Sequence, residues 1–206
     1  MENLAPSGSL QATFTPGIRL APLSWRIRNA LRARFLWGLF CNWLAWRFFK
    51  LTKIPCIIAE LEATVIKPNG QRVKYGVIDR RVVTDAGVAF LVDDWDDDTT
   101  DITNMKFHAC GTDNTAEDQT DSALGAESTT ITDRATGTQD QPSANALRSI
   151  GTQSFTGAGS IVEHGLFSVV TESAGVLWDR TVFSTITVAN GDSIQFTYTC
   201  TLTAGS

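Results

Sequence analysis

Imidazole chemistry in this chain rests on two residues, His108 and His164. His108 and Cys110 are separated by one residue, so on a strand both side chains would share a face, as two ligands of a tetrahedral metal do. No second close pair of Cys or His completes a four-ligand set, and a histidine that simply packs is expected, with no metal and no cofactor. Glu163 and His164 stand near Ser160, which raises the idea of a hydrolytic set. Adjacent strand residues point to opposite faces, however, and no Gly-x-Ser-x-Gly elbow occurs. The run Asp93-Asp-Trp-Asp-Asp-Asp98 with Asp101 is rich in oxygen, yet it lacks the alternating ligands and distal Glu of a calcium loop, so a solvated loop is expected. With no phosphate loop, dinucleotide fingerprint or paired carboxylates legible, the sequence predicts a protein that is not an enzyme and has no catalytic residue.

The elements that would position these groups are mostly strands. In residues 192–203, Ile194, Phe196, Tyr198, Cys200 and Leu202 alternate with Gln195, Thr197, Thr199, Thr201 and Thr203, the period of a strand with one apolar face. Residues 160–170 and 175–184 are two further apolar-aromatic runs closed by turn residues. Asn190-Gly191 reads as a tight turn that pairs Thr185–Val188 with the last strand. Cys56–Ile66 and Val73–Val83 flank Lys67-Pro-Asn-Gly70, a second hairpin signal. Thr84 caps a short helix over 85–95, whose apolar positions Val88, Leu91, Val92 and Trp95 would cover an edge or end of the sheet. Ile102–Cys110 is read as a strand. The polar stretch 111–159 is read as a long loop with two short strands near Thr129–Thr132 and Leu147–Phe155.

Size and charge divide the chain in two. Its 206 residues suffice for one medium domain with an appendage. Residues 1–54 carry eight Arg/Lys against the single Glu2, a charge of +7, whereas 55–206 carry nine against 21 acids, a charge of −12. Such a split predicts different partners for the two parts. Cys41, Cys56, Cys110 and Cys200 are scattered, with no Cys-x-x-Cys pair, which fits thiols that pack as small hydrophobes in a protein assembled in the cytoplasm. The polar first 17 residues do not read as a cleavable signal.

Met1–Pro22, with Pro6, Gly8, Pro16, Gly17 and Pro22, reads as an extended arm. Ser24 then caps a helix over 24–50 with Arg26, Arg28, Arg32 and Arg34 in its first turns. Its middle is apolar: Phe35, Leu36, Trp37, Leu39, Phe40, Trp43, Leu44, Trp46 and Phe48. About a dozen apolar residues fall short of the roughly 20 that span a bilayer. The helix is expected to be buried between subunits, and the alternative is that it lies in a lipid headgroup layer as part of a peripheral membrane protein. The same arginines could meet nucleic acid phosphates, but the long apolar run resembles a packing seam more than a groove reader, so nucleic acid contact is disfavoured. The fold class expected is mainly β: an antiparallel β-sandwich or jelly-roll over 55–206, carrying the arm and docking helix of 1–54.

A resemblance points the same way. Phe107-His-Ala-Cys-Gly-Thr112, Ala123-Leu124, Glu127, Arg134, Glu163-His-Gly-Leu-Phe167, Gly175-Val-Leu-Trp-Asp-Arg180, Val182-Phe183 and Gly191-Asp-Ser193 occur in that order. This cadence resembles a β-rich module of tailed-bacteriophage virion proteins, notably tail-fibre, collar and head-decoration components, and covers about half the chain. Within it Gly165 would let one strand lie close to its neighbour, Phe167 closes the Glu-x-Gly-Leu-Phe strand, and Glu163 with Arg180 offers a charge pair that fixes register. The resemblance implies a symmetric homo-oligomer without catalysis, located in the virion, whose partners are other virion proteins and whose exposed loops could meet a host receptor.

Overall fold

The computed structural model describes residues 17–32, 36, 40, 43–44, 47, 56–81, 83–96 and 101–203. The chain is mainly β, with two sheets. The larger contains β1 (Ile18–Leu20), β2 (Cys56–Ile66), β3 (Arg72–Arg81), β6 (Thr138–Ser143), β7 (Ala146–Ser154) and β10 (Ser193–Thr203), in the order β1-β3-β2-β10-β7-β6. The smaller contains β4 (Phe107–Gly111), β5 (Ala135–Thr136), β8 (Gly159–Phe167) and β9 (Leu177–Val188), in the order β5-β4-β8-β9. Pairing is antiparallel throughout except for β1, which runs parallel to β3.

The alternation read in the last strand has its consequence here. Ile194, Phe196, Tyr198 and Cys200 of β10 are buried in one cluster with Leu61 and Val65 of β2 and with Ile161, Phe183 and Ile186 from the smaller sheet. Both sheets therefore share one core. The β2–β3 hairpin forms as the Lys67–Gly70 signal predicts, with Gly70 at φ 77° and its N–H donating to the Lys67 carbonyl at 2.8 Å.

The second hairpin does not form. β9 pairs with β8, and β10 pairs with β2 and β7, so the turn at 189–192 crosses from one sheet to the other. A two-residue hairpin turn of the type favoured by Asn-Gly needs positive φ at both residues, and here Gly191 (φ 83°) has it while Asn190 does not. Asp192 instead ties the crossing down: its Oδ2 accepts from the Ala189 N–H at 2.8 Å and from Lys67 Nζ at 2.5 Å. Phe155 exchanges backbone hydrogen bonds with Gly191 and Asp192, both 2.8 Å.

The N-terminal region also departs from expectation. The helix read over 24–50 begins earlier, as α1 (Leu23–Ala30) capped by Pro22 and not by Ser24, and is interrupted at Leu31 and Arg32. Residues 18–30 pack on the sheets, so the body takes in chain upstream of residue 55. Ile102–Asn104 is a single 3-10 turn, and β4 starts only at Phe107. The strands of the polar stretch are β5, β6 and β7. β7 lies where the second was expected, but Thr129–Thr132 is not a strand.

Among the described residues, the β9 edge that faces away from β8 has no strand partner. Its backbone groups are met by Trp25 and Asn29 of α1 and by Arg32 just past the end of that helix. Trp25 Nε1 donates to the Thr185 and Ser184 carbonyls (2.8 and 3.1 Å), Asn29 Oδ1 accepts from the Ser184 N–H (3.1 Å), and Arg32 donates to the Val182 carbonyl. Asn29 also donates to the Ile78 carbonyl on β3 at 2.8 Å, so one amide bridges the two sheets. Trp25 is buried and meets Tyr75 edge to face at 4.6 Å. Trp25→Ala removes both the filled volume and the indole donor, and should lower the unfolding free energy by about 3–5 kcal/mol, read from denaturant midpoints of the full chain.

Candidate functional site

Two features of the described surface and interior carry the functional argument: the apolar outer face of the N-terminal segment, and the polar groups sealed between the sheets. On the segment, the inward face of α1 holds Trp25 and Asn29, while Leu23, Ile27 and Leu31 point outward and are half to two-thirds exposed. Beyond the interruption Leu36, Phe40, Trp43 and Leu44 are helical, and each is 46–52 % exposed. Phe40 and Trp43 stack with ring centroids 6.1 Å apart, and the Arg47 guanidinium lies 5.4 Å from the Trp43 centroid. The expected docking residues Phe35, Trp37, Leu39, Trp46 and Phe48, and Arg34 among the basic contacts, lie outside the described residues. Arg26 and Arg28 are exposed, whereas Arg32 is drawn into the β9 edge.

The helix over 85–95 forms as α2 (Asp85–Asp96), with Thr84 Oγ1 accepting from the Gly87 N–H at 3.0 Å. Its rotation differs from the expectation. Phe90 and Leu91 lie against the core, while Val88, Val92 and Trp95 are 44, 52 and 74 % exposed. The start of the helix fixes this: Thr84 donates to the Trp178 and Leu177 carbonyls (2.9 and 2.6 Å), and a Cβ on Gly87 would stand 2.7 Å from the Trp178 carbonyl oxygen. Gly87 must therefore face the sheet, which turns positions 88, 92 and 95 away from it. The acidic run expected as a loop from Asp93 is helical through Asp96, the end of α2; Asp94 Oδ1 accepts from the Ile102 N–H and, past the described end of the helix, Asp101 Oδ1 from the Thr103 N–H. No group of three or more His, Cys, Asp or Glu that could hold a metal is present among the described residues.

The pair Glu163–Arg180, read from sequence as a register device, is the centre of a buried network. Glu163 is fully buried and accepts from Arg180 Nε at 2.9 Å and from the N–H groups of Ala126, Gly125 and Asp113 (2.8, 3.0 and 3.1 Å). Arg180 also reaches Asp113 and Asp121 at 2.9 and 3.0 Å. Together they stitch the loop 113–126 onto β8 and β9. Gly165 and Phe167 lie beside them in the core, where a Cβ on Gly165 would come within 2.9 Å of Leu124 and Leu177. The Arg134 guanidinium sits 3.7 Å from the Phe167 centroid and forms a two-pronged pair with Glu127. Arg180→Met leaves Glu163 sealed in with its charge uncompensated by a cation, and should cost about 3–5 kcal/mol of unfolding free energy. Glu163→Gln with Arg180→Met should cost less than the sum of the two single changes, as a double-mutant cycle in denaturant would show.

His108 and His164, distant in sequence, meet in the core, a pairing the sequence did not suggest. His108 Nδ1 lies 3.0 Å from His164 Nε2, and His108 Nε2 lies 2.9 Å from Ser149 Oγ. The order Ser149–His108–His164 has the outline of a nucleophile, a base and an orienting group. Burial pushes the His108 pKa down to about 3, which is too weak a base to take a serine proton at neutral pH. The hydrogen-bond account points the same way. His164 Nδ1 has no partner, and a bare lone pair there is cheaper than an orphaned N–H. Nε2–H of His164 then donates to His108, and Nε2–H of His108 donates to Ser149, which accepts and keeps its own proton.

Next to this chain a small apolar cleft of about 70 Å³ is walled by Leu91, Met105, Leu166, Trp178, Tyr198 and Cys200 among others. Burial, followed by the charge of Asp179, raises the Cys200 thiol to about 12, so it is not a thiolate nucleophile. Burial also holds His164 well below the ordinary imidazole value, with His108 adding to the effect. Both imidazoles are held below their unfolded value near 6.5, so their contribution to stability is complete above about pH 6.5 and is lost as the pH falls below it, for His108 down to about 3. Each should remove about 1.4 kcal/mol per pH unit below about 6.5. Since they are the chain's two histidines, unfolding midpoints between pH 6.5 and 5 should show this slope, and His108→Gln with His164→Gln should flatten it. Comparison with known proteins finds no matching family model, no matching curated protein and no matching solved structure, so the functional reading rests on these residues themselves.

Proposed function

We propose that the chain is a structural component of a bacteriophage particle, a tail or fibre adaptor or a capsid decoration, with an antiparallel β-sandwich or jelly-roll body that assembles through its N-terminal segment. The observation that carries this reading is the stripe of Leu36, Phe40, Trp43 and Leu44, large apolar side chains held half-exposed on a helix. Covering the exposed half of four such groups is worth about 3–6 kcal/mol, at roughly 1.5–3 kcal/mol for each fully buried side chain. That is weak for one contact and sufficient when a symmetric assembly repeats it. The interior supports a structural role, because its polar residues are spent on each other: Glu163 on Arg180 and loop amides, His108 on His164 and Ser149.

The proposed partners are further copies of the chain and other virion proteins, in particles assembled in the host cytoplasm, with the loop 113–126 available to a host receptor. In particles purified from cells making Phe40→Glu with Trp43→Glu, the chain should be lost from the particle while the unfolding midpoint of the purified variant stays within about 0.5 kcal/mol of the parent. Normal incorporation of that variant would overturn the reading. Arg47 over Trp43 is also how cationic and aromatic side chains meet a lipid headgroup layer. The full chain should therefore be spun with anionic and neutral vesicles. Co-sedimentation that needs anionic lipid and disappears in the same double variant would favour a peripheral membrane protein instead.

A further inference from the structure

The geometry points to the outer face of α2 on a second copy of this chain as the surface that receives the stripe of Leu36, Phe40, Trp43 and Leu44. This rests on the reading that the N-terminal segment assembles, and adds where the segment lands. Besides the outer face of α1 with Leu23, Ile27 and Leu31, two further apolar ridges stand uncovered on the described surface. The first is that stripe, and the second is Val88, Val92 and Trp95 of α2, of which Trp95 is the most exposed large apolar side chain described, at 74 %. The helical positions 36, 40, 43 and the positions 88, 92, 95 have the same i, i+4, i+7 spacing, at which side chains on a helix share one face over about 10 Å. Two such ridges pack side by side in the ordinary way helices do.

Charge decides that they belong together. The ridge at 36–44 ends on Arg47 and sits in the segment of charge +7, whereas α2 carries Asp85, Asp93, Asp94 and Asp96 and no basic residue in its last turn. Three of those carboxylates crowd the C-terminal end, where the helix dipole is already negative and a cation is preferred. A partner helix that brings arginine to that end relieves a strain α2 cannot relieve from its own sequence. A copy of the first ridge brings apolar surface and cation in one element, and pairing ridge 36–44 with itself would bring like charges together. Both ridges are exposed within one chain, so the contact lies between chains. It joins two different surfaces, and therefore closes into a ring or extends as a filament.

The two halves of such a contact can be broken separately. Phe40→Glu with Trp43→Glu removes the inserted ridge, and Val92→Lys with Trp95→Lys removes the receiving one; all four positions are exposed, and unfolding midpoints check that each variant folds. Sedimentation velocity of the purified full chain should show the parent as an oligomer and each variant alone as a monomer. An equimolar mixture of the two variants should form a dimer and nothing larger, because each pair keeps one intact ridge of each kind. A monomeric mixture overturns the proposal. If the variant altered at 92 and 95 assembles like the parent while the other is monomeric, the N-terminal segment docks elsewhere: this inference falls and the assembly reading stands. A monomeric parent overturns this inference and leaves the assembly reading to other virion proteins, whereas assembly that survives Phe40→Glu with Trp43→Glu overturns both. Should the double lysine change disturb folding, Trp95→Ala should weaken self-association tenfold or more, and an unchanged affinity there also overturns the proposal.

Discussion

The β9 edge without a strand partner among the described residues is the constraint on which the rest of the structure turns. A strand whose side chains are buried along most of its length cannot leave its outer N–H and C=O groups dry without a cost of about 1–3 kcal/mol for each group. It also cannot leave them open to another chain without inviting edge-to-edge pairing. The protein answers with a helix and not with another strand. Trp25 and Asn29 of that helix, with Arg32 just past its end, supply donors and an acceptor, and Asn29 reaches β3 as well, so the two sheets are held together where no ladder joins them. Thr84 does the same for the other end of that edge, at Leu177 and Trp178.

This cover gives the N-terminal segment two faces with separate duties. Because Trp25 and Asn29 are committed inward, Leu23, Ile27 and Leu31 must point outward, since a helix of this length cannot bury both sides against one sheet edge. The apolar surface that makes the segment look unfit for a lone chain is thus a geometric consequence of the latch. The same logic applies to α2, where the close approach at Gly87 buries Phe90 and Leu91 and turns Val88, Val92 and Trp95 out.

What was legible in the sequence was periodicity and local turn chemistry. The alternation of β10, the Lys67–Gly70 hairpin and the Thr84 cap depend on residues close in sequence, and each formed. The Glu163–Arg180 pair was legible because two charges on apolar strands must find each other. The failures share a cause. Asn190-Gly191 has the composition of a hairpin, but Asp192 and Phe155 decide where the chain goes next, and that partnership is a tertiary fact. The phase of α2 was misread because four apolar positions fitted a helix stripe equally well on a rotation that only the Gly87–Trp178 contact excludes. The His108–His164 pair left no local signal, because its members lie on different strands, 56 residues apart, and only the pairing of β4 with β8 brings them together.

The buried polar groups and the exposed apolar ones belong to a single design argument. Sealing Glu163, Arg180, His108 and His164 inside gives up the hydration of two charges and two imidazoles, which burial of hydrocarbon alone would not repay in place. Their return is specificity: a one-residue slip between β8 and β9 would carry Glu163 away from Arg180 and from the three loop amides it accepts. A body fixed in this way holds its N-terminal latch, Trp25 and Asn29, on a rigid base. The apolar contact proposed above, a few kcal/mol per copy, would then not also have to supply the ordering of the body that carries it. Preorganisation of this kind is what lets small repeated contacts add up in a symmetric assembly.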